Sequence, residues 1–141
     1  LGTEYTRVNP FVYTNLLSAQ NYTQYNREMG DWMGNNFERY MLFAKYNPIA
    51  KLNLYVRFQS IRKGGLGSIA EQYLAEPQPP FLFDMQIKRK DWFLQFKYEW
   101  INNFYVFGSF ESLQYSLKKE KAHPALQSGQ TIQLGLSFGI R

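Results

Sequence analysis

The sequence predicts an all-β chain: about six antiparallel strands in the wall of a transmembrane β-barrel. The first observation is the stretch from Thr131 to Arg141, TIQLGLSFGIR. Ile132, Leu134, Leu136, Phe138 and Ile140 fall on one face of an extended strand. Thr131, Gln133, Gly135, Ser137, Gly139 and Arg141 fall on the other, because side chains alternate with period two. The second is Asp91 to Ile101, where Trp92, Leu94, Phe96, Tyr98 and Trp100 share one face and Phe93, Gln95, Lys97 and Glu99 the other. The third is composition. The chain has 12 Phe, 11 Tyr and 3 Trp, yet its mean hydropathy is negative, as two-faced strands produce. No apolar run reaches the ~18 residues of a transmembrane helix. The absence of cysteine excludes disulfide frameworks and thiolate metal sites.

The elements follow in order. Thr3 to Thr14 reads as a first strand of mixed faces, with a bulge expected near Asn9-Pro10 because proline removes a ladder donor. Asn15 to Asn36 is a long polar and aromatic connection broken by Gly30 and Gly34. Asn36 to Tyr46 is the second strand, with Tyr40, Leu42, Ala44 and Tyr46 outward and Arg39, Met41, Phe43 and Lys45 inward. A tight turn is expected at Asn47-Pro48-Ile49-Ala50. Lys51 to Ile61 is a third strand, with Leu52, Leu54, Val56 and Phe58 opposite Asn53, Tyr55, Arg57 and Gln59. The connection that follows runs from Arg62 to near Phe83. It contains the capping-box pattern Ser68-Ile69-Ala70-Glu71, which predicts a short helix over 69–75, stopped by Pro77. Asp91 to Ile101 turns at Asn102-Asn103 into Phe104 to Leu117, with a slip of phase expected between Gly108 and Ser112. Lys118 to Gln130 is a third polar connection before the final strand.

Phe81, Phe83, Met85 and Ile87 also alternate, which leaves a separate strand over 81–88 as an alternative. Barrel topology weighs against it. Bacterial barrels keep short turns on the periplasmic side and long loops outside. Counting back from Arg141, every long connection and short turn then falls on its proper side only without the extra hairpin. A soluble lipocalin-type barrel is the alternative fold. Against it, Trp92 and Trp100 cap one face eight residues apart. At ~3.3 Å per residue and a ~40° tilt that is about 20 Å, close to the spacing of membrane aromatic girdles.

EYTRVNPFVYTN, from Glu4 to Asn15, and NYTQYNREMGDWMGNNFERY, from Asn21 to Tyr40, carry a resemblance. They are similar to the Wzi-like capsule-assembly outer-membrane proteins of Bacteroidetes-type bacteria. In that family an E-x-T-R-x-x-P-x-x-Y segment precedes a Tyr-rich loop and a G-x-x-x-G-x-N-F start to the next strand. The match covers roughly the first 65 residues, and the remainder only as a barrel ending. Where the family carries histidines, this chain has Thr14-Asn15 and Gly30-Asp31, so no histidine role transfers. The resemblance implies localisation in the outer membrane of a Gram-negative bacterium. It also implies that the chain is the C-terminal part of a larger barrel. Six strands would in any case enclose too little space for inward Arg39, Phe43, Tyr55, Arg57, Phe93 and Lys97.

No enzyme chemistry is expected. His123 is the only histidine and lies in a loop before Pro124. Lys63-Gly64-Gly65-Leu66-Gly67 lacks the Lys-Ser/Thr of a phosphate loop and reads as a flexible segment. No metal spacing exists, and neither a cofactor nor a nucleic-acid partner is expected. Binding is better supported. Arg62, Lys63, Lys88, Arg89, Lys90, Lys118, Lys119 and Lys121 gather at the expected outer rim, as either a solvated set of loop ends or contacts to lipopolysaccharide and acidic polysaccharide. Tyr22, Tyr25, Trp32 and Tyr73 lie in the long connections, to stack on sugars or to pack the connections together. Trp92 and Trp100 would form the membrane girdle. The resemblance implies binding or anchoring of capsular or other surface polysaccharide. The alternative is a structural subunit of a gliding-motility or secretion assembly, with other outer-membrane subunits as partners.

Overall fold

The structure, a computed structural model, describes residues 1–17, 23–24, 27–28, 30–117 and 125–139. Six antiparallel strands form one open sheet in which each strand pairs with its neighbours in sequence. They are β1 (Gly2–Val8), β4 (Phe37–Ile49), β5 (Leu52–Lys63), β6 (Ile87–Ile101), β7 (Phe104–Leu117) and β8 (Ala125–Phe138). The connection after β1 holds a two-residue ribbon, β2 (Thr23–Gln24) with β3 (Arg27–Glu28). That after β5 holds the one helix among the described residues, α1 (Ile69–Leu74), capped at Ser68 as its capping box predicts. The separate hairpin over 81–88 does not form; instead β6 begins at Ile87 and continues without interruption past Asp91.

Several boundaries differ from the sequence reading. β1 stops at Val8, because Pro10 has no N–H and Phe11 turns the chain at φ 64°. β4 runs on to Ile49 through a register shift after Tyr46, so the turn falls at Ala50-Lys51 rather than Asn47 to Ala50. β8 begins at Ala125, inside what reads as a polar connection; Ile140 and Arg141 lie outside the described residues. The slip of phase expected between Gly108 and Ser112 is absent. Pairing of β7 with both neighbours is continuous there, and the irregularity lies between Glu99 and Ile101. The change from Phe110 to Ser112, Gln114 and Ser116 is a change of height on one face, not a change of face.

That register sorts the side chains. One face carries Tyr40 to Tyr46 of β4, Leu52 to Phe58 of β5, Trp92 to Tyr98 of β6, Phe104 to Phe110 of β7 and Ile132 to Phe138 of β8, each at alternate positions. Together they make a continuous apolar band, on which most of the large side chains are exposed. Its upper edge steps down by one row between β6 and β7, as Trp92 pairs with Ser112 while Leu94 pairs with Phe110. Within the sheet, three glycines sit under aromatic rings of their direct partners: Gly2 under Phe43, Gly108 under Phe96 and Gly135 under Phe107. A Cβ at any of them would strike the ring, so the glycine lets the large side chain lie flat across the neighbouring strand.

Candidate functional site

Strand direction puts the end of β1 with the start of β4, the end of β5 with the start of β6, and the end of β7 with the start of β8 at one end of the sheet. These are the strand ends that the long connections join. The two-residue turns, 50–51 and 102–103, lie at the other. The first two connections fold together over the face opposite the band. Val8, Phe37 and Ile61 project from β1, β4 and β5 on that face, and Met33 and Tyr13 pack on them; this is the buried apolar cluster of the described residues.

Asn36 ties this cover down. Fully buried at φ 57°, it donates through Nδ2 to the carbonyls of Gly65 at 2.8 Å and Phe83 at 3.3 Å. Its Oδ1 accepts from the Leu82 amide at 2.7 Å. Its backbone N–H donates to Asn9 and its carbonyl accepts from Gly64. One residue thus joins the end of β1, the start of β4 and both limbs of the second connection. Gly64 and Gly65 are buried against it, and a Cβ at Gly64 would lie 2.3 Å from the Asn36 amide nitrogen. This stretch reads in the sequence as flexible; it is a close-packed crossing that only glycine permits. Phe11 stacks on Phe83 with centroids 5.9 Å apart, and the Arg7 guanidinium lies 3.9 Å from the Phe81 ring centroid. The Thr14 hydroxyl donates to Gln72 of α1, and the Leu16 amide donates to the Tyr73 hydroxyl. Tyr73 therefore joins the two connections.

Trp32 projects away from this cover. The Asp31 carboxylate accepts from the Met33 amide at 3.0 Å and its carbonyl from Gly34 at 2.8 Å. That turn directs Met33 into the cluster and leaves Trp32 68% exposed. Tyr22, Tyr25, Lys118, Lys119 and Lys121 lie outside the described residues, as does His123.

The remaining basic residues do not form one cluster. Arg62, Lys88 and Lys90 lie on the face of the band, immediately above it, whereas Lys63 and Arg89 point to the opposite face. Lys63 donates to the Met33 carbonyl and so belongs to the cover. Arg89 lies with Arg57 beside Asp91, each guanidinium 3.6 Å from the same carboxylate oxygen. Asp91 is 1% exposed, and its Oδ1 and the Nε atoms of Arg39, Arg57 and Arg89 have no hydrogen-bond partner among the described residues. Arg39 pairs with Glu4 on β1. The pairing of Arg39 with Glu4 across β1 and β4, and of Arg57 with Asp91 across β5 and β6, escapes a reading of the sequence, because only strand pairing brings those partners together. Trp92 lies on the band face and packs on Phe58 at 4.6 Å between centroids. Trp100, by contrast, is the unpaired residue of the irregularity between Glu99 and Ile101, and Ile101 is the residue that pairs with Phe104 of the band. No group of three or more metal-ligating side chains is found among the described residues. No protein-family model, curated protein or solved structure matches this chain.

Proposed function

We propose that the chain is part of the wall of an outer-membrane β-barrel that holds an anionic surface polysaccharide at the cell surface. The apolar band carries the membrane half of this reading. Its four alternate residues on each of β4 to β8 span about 15 Å at a ~40° strand tilt, more than half the ~25 Å height of the apolar belt of such barrels. Nothing in the described chain packs on it, and it is far larger than the patches of a few hundred Å² that soluble monomers expose. Trp92 lies at its upper margin, as a girdle residue does, and Trp100 is exposed beside the turn at the other end. β1 and β8 each pair on one side only, so this reading makes the sheet an arc of a larger barrel, with both edges continuing into further strands.

The polysaccharide half rests on the resemblance to Wzi-like proteins and on Trp32, an exposed indole among the long connections. Replacing Lys118, Lys119 and Lys121 together with Ala should weaken retention of labelled acidic surface polysaccharide several-fold, since each exposed charge contributes about 1 kcal/mol or less. The residual binding should be less sensitive to salt. Trp32→Ala should weaken it about two- to tenfold with little change in salt dependence, because an aromatic face contributes about 0.5–1.5 kcal/mol by stacking. If neither variant alters retention while the barrel assembles, the chain is a scaffold subunit instead.

A further inference from the structure

Arg62 and Lys88 are direct cross-strand partners on the face of the apolar band, and Lys90 is the next residue along β6 on that face. Like charges placed directly opposite destabilise a strand pair. Glu38, the direct partner of Arg62 on β4, bonds to Arg62 and relieves one of the three charges. Neither Lys88 nor Lys90 has an ion-pair partner among the described residues. Lys90 stands one row above Trp92 and Phe58, and Arg62 and Lys88 one row above that. Three cations are therefore concentrated within two rows of the boundary where the surface changes from apolar to polar, at the end that carries the long connections.

We infer that Arg62, Lys88 and Lys90 bind the phosphate groups of outer-leaflet lipopolysaccharide. This rests on the barrel reading and deepens it by naming the lipid partner. In that reading the long connections lie outside, so the upper margin of the band meets the outer leaflet. Phosphate is the group whose charge would relieve the Arg62–Lys88 opposition, with the guanidinium able to engage it through two donors and the ammonium groups as point charges. A lysine stem can lie along the apolar margin at Trp92 while its charged end reaches a phosphate layer. The register excludes Lys63 and Arg89 from this patch, since both serve the opposite face.

The test uses the protein in phosphatidylcholine vesicles doped with diphosphoryl lipid A or with the same lipid after enzymatic dephosphorylation. Wild type should retain the diphosphoryl form through washing, and the Arg62→Gln/Lys88→Gln/Lys90→Gln variant should retain about tenfold less, the product of three weak charge contacts. Lys88→Arg/Lys90→Arg should keep retention, and ~1 M salt should abolish the difference between wild type and the Gln variant. Equal retention by wild type and the Gln variant overturns the proposal, as does equal retention of the dephosphorylated lipid by wild type. The protein used is the complete barrel that contains this chain; its failure to insert into undoped phosphatidylcholine vesicles overturns the barrel reading itself, and is read before any lipid A is added.

Discussion

Asn36 holds a positive φ of 57° and makes three side-chain hydrogen bonds in a site closed to solvent. Replacing it with Ala strands the Gly65 carbonyl and the Leu82 amide, while the Phe83 carbonyl still accepts from the Gly65 amide. Each such loss costs about 1–3 kcal/mol. Asn36→Ala should therefore release the 64–86 connection, seen as faster amide exchange and protease cleavage there, while the strands stay paired. Asn36→Gly keeps the backbone conformation and loses the same bonds, so it should loosen the connection too. A silent Asn36→Gly would show that the positive φ, and not the side chain, is what the site requires. Asn36 is visible in the sequence only as part of a G-x-x-x-G-x-N-F pattern; its partners lie 29 and 47 residues away. Asp91 poses the same difficulty: on its own strand it is one polar residue in an alternating run. Arg89, two residues earlier on the same face, follows from alternation, but only the pairing of β5 with β6 reveals that Arg57 reaches it too.

At the scale of the strand, alternation is what decides which residue meets which medium. Leu94 lies within the band between Val56 and Phe110, and Gln95 on the other face between Tyr55 and Ser109. Leu94→Arg should cost about 2–4 kcal/mol of barrel stability if it faces hydrocarbon near the midplane, and Gln95→Arg should be tolerated. Urea titration of the refolded protein in lipid would measure both, and equal damage would refute a lipid-facing band. The faces of β4 to β8 were legible in advance because period two survives any error in register. Strand ends were not. β1 was drawn too long because a proline beside apolar residues resembles a bulge, and β8 too short because Gln127, Ser128 and Gln130 resemble a loop. The expected slip in β7 came from treating polar residues above the band as a change of face. Gly108 and Gly135 lie in strands and accommodate Phe96 and Phe107, while Gly64, which reads in the sequence as part of a flexible segment, lets two segments of the chain cross.

For the whole molecule, the order β1-β4-β5-β6-β7-β8 follows from the succession of long connections and short turns, and six strands were legible from that alone. The sequence is silent on where the connections go, because side-chain contacts between 9–36 and 64–86 leave no periodic trace. They fold inward. Met33 and Tyr13 rest on residues that project from the face opposite the band, which in a closed wall is the lumen side. A barrel so covered is an obstructed one. In planar bilayers the protein should show low or no steady ionic conductance, and Asn36→Ala should raise it by loosening the cover. A large, stable conductance in wild type would show that the cover leaves the passage free. If the proposed barrel is blocked in this way, a long polymer would have no route through it, and chains held at the rim would have to reach the surface by another path. The barrel would then act as a mooring for material that is already outside.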